Sequence, residues 1–242
     1  DSLKITVNGS FGKFGSKYSF LYSPDLLINT TITGQLTLLM LIEMITTAGG
    51  NVKSANTDGI VILCKRHNVQ AIHDTVSLFE LNTIFTMEYT EYRALYSINV
   101  NNYLAVKPDG KVKGKGQFAS NSLAKNPTNA ICVQAAIAYL TKQTPIKETI
   151  LHCQDIRQFI TLRTVQGGAT KDGVNIGKSI RWYHSTSTHS AIHYAKNNNK
   201  VPKSDGAMPL LNYPDSLPPD IDYQFYIQEA KNIIRSAGVH HA

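Results

Sequence analysis

The chain has 242 residues, 42% of them hydrophobic, and carries 24 Lys and Arg against 17 Asp and Glu for a net charge of +7. This length supports one large domain or two ordinary ones, and this composition excludes a chain disordered throughout or one that needs disulfide or metal staples to build a core. The positive balance is uneven: residues 1–116 hold 11 basic and 9 acidic residues (+2), residues 117–242 hold 13 and 8 (+5), so the second half is the better electrostatic surface for a polyanion.

The chain opens at Asp1, without an initiating methionine, on strongly patterned sequence, and is read as a piece of something longer. Residues 4–12, KITVNGSFG, mix β-branched and small residues, and local propensity does not decide between helix and strand. Residues 13–23 end in aromatics and a turn, and Pro24 stands where a helix could start after Ser23. A firm helix is expected over residues 33–47, closed by Gly49 and Gly50. Its apolar run, residues 36–45, is interrupted by Glu43 and is too short to span a bilayer. With no signal-peptide pattern at the start, a non-membrane, cytoplasmic protein is expected.

Residues 52–63 read as a β-hairpin around Asn56-Thr57-Asp58-Gly59, with Asp58-Gly59 favouring a tight turn. Residues 69–81 place Val69, Ile72, Val76 and Phe79 on one side of a helix. Residues 89–100 and 103–106 have strand character around an Asn101-Asn102 turn, and Pro108-Asp109-Gly110 signals another hairpin. The pattern changes near residues 116–120, which predicts two domains, 1–116 and 117–242. Helices are expected over 129–139 and 145–159, the latter capped by Thr144, and over 223–236. Gly167-Gly168 reads as a break, residues 175–184 as a strand, and 197–219 as an ordered loop or meander.

Asp58 is the strongest candidate for chemistry. A carboxylate at the apex of a hairpin can face a cleft, and a magnesium ion takes rigid oxygen ligands of this kind together with substrate phosphates. The competing reading is a turn aspartate whose side chain caps backbone donors, and such aspartates are common. In the first segment, helical spacing would set Lys4, Asn8 and Phe11 on one surface: a cation for phosphate, an amide and a ring for a base. A solvated lysine and a core phenylalanine compete with that reading.

Other features carry less. Cys64, Cys132 and Cys153 are far apart and odd in number, with no CxxC pair, which fits a reducing compartment. His152, His184, His189 and His193 have no zinc-motif spacing, so no zinc is expected. Arg181-Trp182-Tyr183 interleaves charge and rings and suits either a grip on DNA or a strand with a buried tryptophan.

Taken together, ordered motifs resemble the family B DNA polymerases. KITVNGSFG resembles their Kx₃NSxYG motif, SANTDGIVI their DTDS hairpin, and INTTITGQLTLLMLIEMI, between them, the palm helix that follows the fingers. YRALYSINVNNYLAVKPDGKVKGKG resembles the late palm with its KKxY-type motif, and NKVPKSDGAMPLLNYP resembles tail sequence of phage and mobile-element members. The resemblance implies an α+β fold: a polymerase palm-like antiparallel sheet with packed helices, then a partly helical thumb-like lobe. It implies that Lys4 contacts the triphosphate of a dNTP, that Asn8 and Phe11 border the nascent base pair, and that Gly12 allows close packing. It implies that Asp58 binds metal, one of two Mg²⁺ expected in the complete enzyme. Tyr103 would face the primer strand of a primer-template DNA, and Lys113 and Lys115 would touch its phosphates. Arg181, in the charged and aromatic run Arg181-Trp182-Tyr183, is a further candidate DNA contact.

The sequence departs from the family at several points. Asn56 stands for the first carboxylate of DTDS and Gly59 for its serine, Gly9 replaces a serine, Phe11 a tyrosine, and Asn101 and Asn102 stand where basic residues are common. The Dx₂SLYP motif with the family's other essential aspartate is absent from this chain, so catalysis is expected to require an upstream remainder of the polymerase chain. The alternative is a non-catalytic nucleic-acid-binding module derived from such a fold. A structural or assembly protein with a basic surface is a third reading.

Overall fold

Helix wins in the segment where propensity was undecided: α1 spans Ser2–Phe14 in spite of Ile5, Thr6 and Val7. The computed structural model describes residues 2–119, 127–214 and 216–239, with the side chain of Lys4 outside the described set. The chain forms two compact units, Asp1–Thr90 and Glu91–Ala242.

In the first unit, α2 (Pro24–Thr47) starts well before the expected Thr33. Ser23 stands at its N-cap position, Pro24 has no N–H to leave unpaired there, and Asp25 complements the positive end of the helix dipole. The hydroxyls of Thr30, Thr31, Thr37, Thr46 and Thr47 each donate to the carbonyl four residues back, so these polar residues satisfy themselves within the helix. An 18-residue window of α2 has mean hydropathy 1.4, so by length and composition this helix reaches a membrane-spanning size that the run 36–45 alone did not. Near its end, Leu41 and Ile45 are buried against Ile72, Val76 and Phe79 of α3 (Val69–Asn82). The hairpin β1 (Asn51–Asn56) and β2 (Gly59–Leu63) packs on the same cluster through Val52, Ile60 and Ile62.

The second unit starts with an antiparallel sheet, β3 (Ala94–Asn99), β4 (Asn102–Val106) and β5 (Val112–Lys115), in that spatial order. The sequence pattern grouped these strands with the first 116 residues, yet they belong to the second unit. Leu104 shares a core with Phe118 and with Ile131 of α4 (Ala130–Lys142), and the Tyr96 hydroxyl donates to the Leu140 carbonyl at 3.0 Å. Contacts this far apart in sequence are invisible to local periodicity. Gly114 makes the close packing possible, because a Cβ there would fall 1.8 Å from the Phe118 carbonyl oxygen.

The expected helix 145–159 is instead α5 (Ile146–Leu151) and a separate 3-10 turn (Ile156–Phe159). Thr144 does not cap α5. Pro145 holds the N-cap position, and the side-chain cap forms later, where Asp155 accepts from the Arg157 N–H at 3.0 Å.

Gly167 and Gly168 do not break the chain. They lie inside β6 (Thr161–Lys171), both at positive φ, where the register with β7 (Val174–His184) shifts. They form a bulge that bends the strand without ending it. β8 (Ile192–Tyr194) and β9 (Ala207–Pro209) complete a four-stranded antiparallel sheet in the order β8-β6-β7-β9. The last helix, α6 (Tyr223–Ser236), is capped by Asp222, which accepts from the Phe225 N–H at 3.1 Å. Its Tyr226 is fully buried. The phenol accepts the His184 N–H and donates to the Phe159 carbonyl, each at 2.8 Å, tying helix, sheet and 3-10 turn together.

The architecture is therefore mixed, with helices packed on separate antiparallel sheets. Among the described residues, the strands within 1–116, expected in one sheet with helices on one face, fall in two separate sheets, and residues 127–239 hold a substantial β-sheet beside their helices.

Candidate polymerase-like site

The hairpin that carries Asp58 closes one residue earlier than its sequence suggested. Asn56 pairs with Gly59, so Thr57 and Asp58 form the two-residue turn, and Thr57 takes the positive φ of 49°. The Asp58 N–H donates to the Asn56 carbonyl at 2.6 Å, and the Thr57 hydroxyl donates to Asn56 Oδ1 at 3.1 Å. The turn is thus held by Asn56 and Thr57. The Asp58 carboxylate is exposed and makes no hydrogen bond or ion pair to any described residue.

Asp109, the turn aspartate of the β4–β5 hairpin, behaves in the opposite way. It accepts from the Lys111 N–H at 2.9 Å and meets Lys111 Nζ at 3.1 Å. The Lys111 backbone N–H, followed by its side chain, holds the Asp109 carboxyl below the usual carboxylate range. Asp109 is a turn-capping aspartate. Asp58 has a similar setting without that role.

Lys4, Asn8, Phe11 and Gly12 all lie on α1. Asn8 and Gly12 are exposed, and Phe11 is 40% exposed, its ring edge-on to Phe14 at 6.5 Å, so it is not a core residue. A Cβ at Gly12 would meet nothing within 4 Å, so close packing within this chain does not account for that glycine. α1 meets α2 close to the turn joining them, where Gly15 lies against Leu27, while the Asp58 hairpin packs at the far end of α2 around Leu41 and Ile45. Both parts of the expected nucleotide and metal site are anchored on this helix. Among the described residues, no group of three or more His, Cys, Asp or Glu could hold a metal ion by itself.

In the second unit, register brings three candidates together. Tyr103 pairs with Lys115 and Ala105 with Lys113, so Tyr103, Lys113 and Lys115 line the same face of β4–β5. Both lysines are exposed and Tyr103 is half-buried. Asn102 works locally: its Oδ1 accepts from the Gln117 N–H at 3.0 Å and its Nδ2 donates to Asn99 Oδ1 at 2.9 Å. Arg181 is not a free cation. Its guanidinium donates to the Leu211 carbonyl and sits 4.9 Å from the centre of the Tyr213 ring.

Sequence reasoning missed two polar clusters that fix the loop after β7. Asp220 accepts from Tyr183, Ser185 and Ser187, and these hydrogen bonds outweigh the opposing effect of burial to hold its carboxyl below the usual range. Buried Lys171 donates to the Ser190 carbonyl and hydroxyl and to the Thr188 hydroxyl, and burial lowers its pKa. Only the density of hydroxyl residues in STSTHS hinted at them. His184 is buried and stacked on Phe225 at 3.5 Å, with Nδ1 3.0 Å from the Asp205 carbonyl oxygen and Nε2 without a partner among the described residues. Burial pulls its pKa down to about 4 against the pull of neighbouring carboxylates. It is a core histidine.

Among solved structures, the chain is similar to the family B DNA polymerase from the hyperthermophilic archaeon Pyrobaculum calidifontis. The TM-score is 0.58 at 16% identity, over 98% of this chain and 32% of that one. The fold is polymerase-like. The likeness runs through both units, including the region after residue 117 where sequence motifs were weakest. The chain spans about a third of the length of that polymerase. No protein-family model matches the chain, and no curated protein matches it.

Proposed function

We propose that this chain is the carboxy-terminal part of a DNA-directed DNA polymerase and supplies one carboxylate of a two-metal site. One observation carries the reading: in a polymerase-like fold, Asp58 is an exposed hairpin-apex carboxylate that the turn itself does not use. The reaction is attack of a primer 3′ hydroxyl on the α-phosphate of a dNTP, forming a new phosphodiester and releasing pyrophosphate. Magnesium, when bound, supplies positive charge to the reacting phosphates, and a protein needs only one or two carboxylates to hold it there. Asp58 is one ligand. Lys4 takes the triphosphate, Asn8, Phe11 and Gly12 border the incoming nucleotide, and Tyr103, Lys113 and Lys115 hold the primer-template duplex, their arrangement on one face suiting a phosphate backbone. Arg181 contributes to the DNA surface only if it leaves its intramolecular partners. Residues 117–242 serve as the thumb-like part, and the complete enzyme works in a cytoplasm, with an upstream segment supplying the second aspartate.

The alternative, a non-catalytic nucleic-acid-binding module, draws on Asn56, which stands where the family carries a carboxylate and whose Oδ1 is occupied by Thr57. Primer extension separates the two. A longer chain bearing the upstream aspartate is expected to extend a primer with Mg²⁺ and dNTPs, and the 242-residue chain alone is expected not to. Absence of extension by the longer chain, with duplex binding retained, would establish the binding module instead.

A further inference from the structure

The end of α3 opens on apolar groups that the first unit does not cover. Opposite its buried stripe of Ile72, Val76 and Phe79, helical spacing sets Asp74, Leu78 and Leu81 outward, with Leu81 83% exposed. Just past the helix Ile84 is 97% exposed and Phe85 is exposed beside it. Together they form an open groove of about 450 Å³, with Glu80, Leu81, Ile84 and Phe85 in its lining. Its walls are held in place. The Thr83 hydroxyl donates to the Phe79 carbonyl at 2.9 Å and accepts the Phe85 N–H at 3.3 Å. Glu80 Oε1 accepts the Met87 N–H at 2.6 Å, and the Tyr89 ring lies against His73 with centroids 4.6 Å apart, so the segment after α3 is tied back along the helix. Aliphatic groups held bare on an ordered backbone mark a surface that another molecule covers.

An open groove takes a segment of chain across it rather than enclosing a small molecule, and its charge selects which segment. Residues 67–90 carry Asp74, Glu80 and Glu88 and no Lys or Arg, within a chain of net charge +7. Glu80 belongs to the lining, and Glu88 stands exposed in the segment that Glu80 ties down. α3 has no basic residue in its last turn to offset the negative end of its dipole. This field repels a phosphate backbone or an anionic lipid surface and attracts Lys and Arg. We propose that the groove is a docking site for a basic, amphipathic segment of a partner protein. Apolar side chains of that segment enter between Leu81, Ile84 and Phe85, and flanking Lys or Arg residues meet Glu80 and Glu88. Apolar anchors beside cations are what one face of an amphipathic helix presents to a groove. The docking needs neither Asp58 nor the polymerase reading.

The test is fluorescence anisotropy of the 242-residue chain with a labelled leucine–lysine peptide built as an amphipathic helix, beside leucine–glutamate and serine–lysine peptides of the same length. The leucine–lysine peptide is expected to bind at least about tenfold more tightly than either control. Leu81→Ser/Ile84→Ser removes two exposed apolar groups, so it should leave the fold intact and lower that affinity at least about tenfold. Glu80→Gln keeps an acceptor for the Met87 N–H, and combined with Glu88→Gln it should weaken binding about threefold or more and flatten its salt dependence. Unchanged affinity in the Leu81→Ser/Ile84→Ser chain overturns the proposal, as does equal binding of the leucine–glutamate peptide. An equal loss on Leu26→Ser/Leu36→Ser, at exposed positions of α2, overturns it too, because the peptide would then be spreading over any bare apolar surface. A longer chain that no longer binds the leucine–lysine peptide would show its own upstream segment filling the groove, which overturns a partner as occupant. Failure of that longer chain to extend a primer bears on the polymerase reading alone and leaves this result standing.

Discussion

The two units spend their apolar residues in opposite ways. Among the described residues, the first buries one cluster of five side chains, Leu41, Ile45, Ile72, Val76 and Phe79, while the second buries clusters of 20 and 7. Of 26 exposed large hydrophobic residues among those described, 20 lie in the first unit, from Leu3 to Tyr89, and 6 in the second. Exposed apolar surface on this scale marks a surface that another part of a chain or a partner covers. The first unit presents groups outward: the Asp58 apex, the α1 face and the groove at the end of α3. The second unit pairs many of its polar groups internally, as the partners of Tyr226, Asp220, Lys171 and Arg181 show, although Trp182 Nε1 and His184 Nε2 are buried without a partner among the described residues. In this molecule, the residues most available for chemistry lie in the unit with the smaller core.

Stability measurements can break that contrast. Tyr226→Ala empties a buried site and strands the His184 N–H and the Phe159 carbonyl, and is expected to cost about 4 kcal/mol or more. Trp182 is the chain's one tryptophan and is fully buried in the second unit, so its fluorescence reports unfolding there. That transition should move to lower denaturant while hydrogen exchange in α2 stays unchanged. Ile45→Ala, at about 3 kcal/mol, should do the reverse. If each variant moves both probes together, the units unfold as one body and the contrast fails.

Acid should weaken the second unit selectively. The His184 pKa is about 4 in the fold against an ordinary value of 6.5, because burial outweighs the hydrogen bond to the Asp205 backbone and the charges of Asp222, Glu229 and Asp205. A histidine whose folded pKa is depressed contributes stability that is present above about 6.5 and is lost as pH falls toward about 4. Between about pH 7.5 and pH 5 the loss is on the order of 2 kcal/mol. Denaturant titrations followed by Trp182 fluorescence should show it, and His184→Gln should flatten the pH dependence in that window. A Trp182 transition independent of pH there would contradict the assignment.

The legible parts of this fold were those with strong local chemistry. Ile72, Val76 and Phe79 mark the buried side of α3, and the turn residues around Asp58 mark its hairpin, whereas Pro24 after Ser23 marked only a possible helix start and the firm helix was expected from Thr33. What was not legible depended on distant partners or on backbone geometry. β6 was missed because a pair of glycines reads as a break when it can equally form a bulge within a strand. The placement of β3–β5 in the second unit rests on contacts such as Tyr96 to Leu140, and the engagement of Arg181 rests on Leu211 and Tyr213, about thirty residues away. For the candidate site, the motif resemblance selected Asp58, but only the structure separates it from Asp109, because both read as turn aspartates.

That pair also gives the smallest stability effect expected here. Asp58 has no intramolecular partner to lose among the described residues, so Asp58→Asn should shift unfolding by no more than about 0.5 kcal/mol. A larger loss in thermal or denaturant melts would mean that the carboxylate supports the fold after all.

The most direct measurement is primer extension by the longer chain, compared with its Asp58→Asn and Asp109→Asn variants, each checked for folding by circular dichroism. The account predicts that Asp58→Asn lowers turnover by about a hundredfold or more, as expected when a positioned charge is removed from a reacting site, while Asp109→Asn stays close to the parent. Near-parental extension by Asp58→Asn, or an equal loss in both variants, would contradict it.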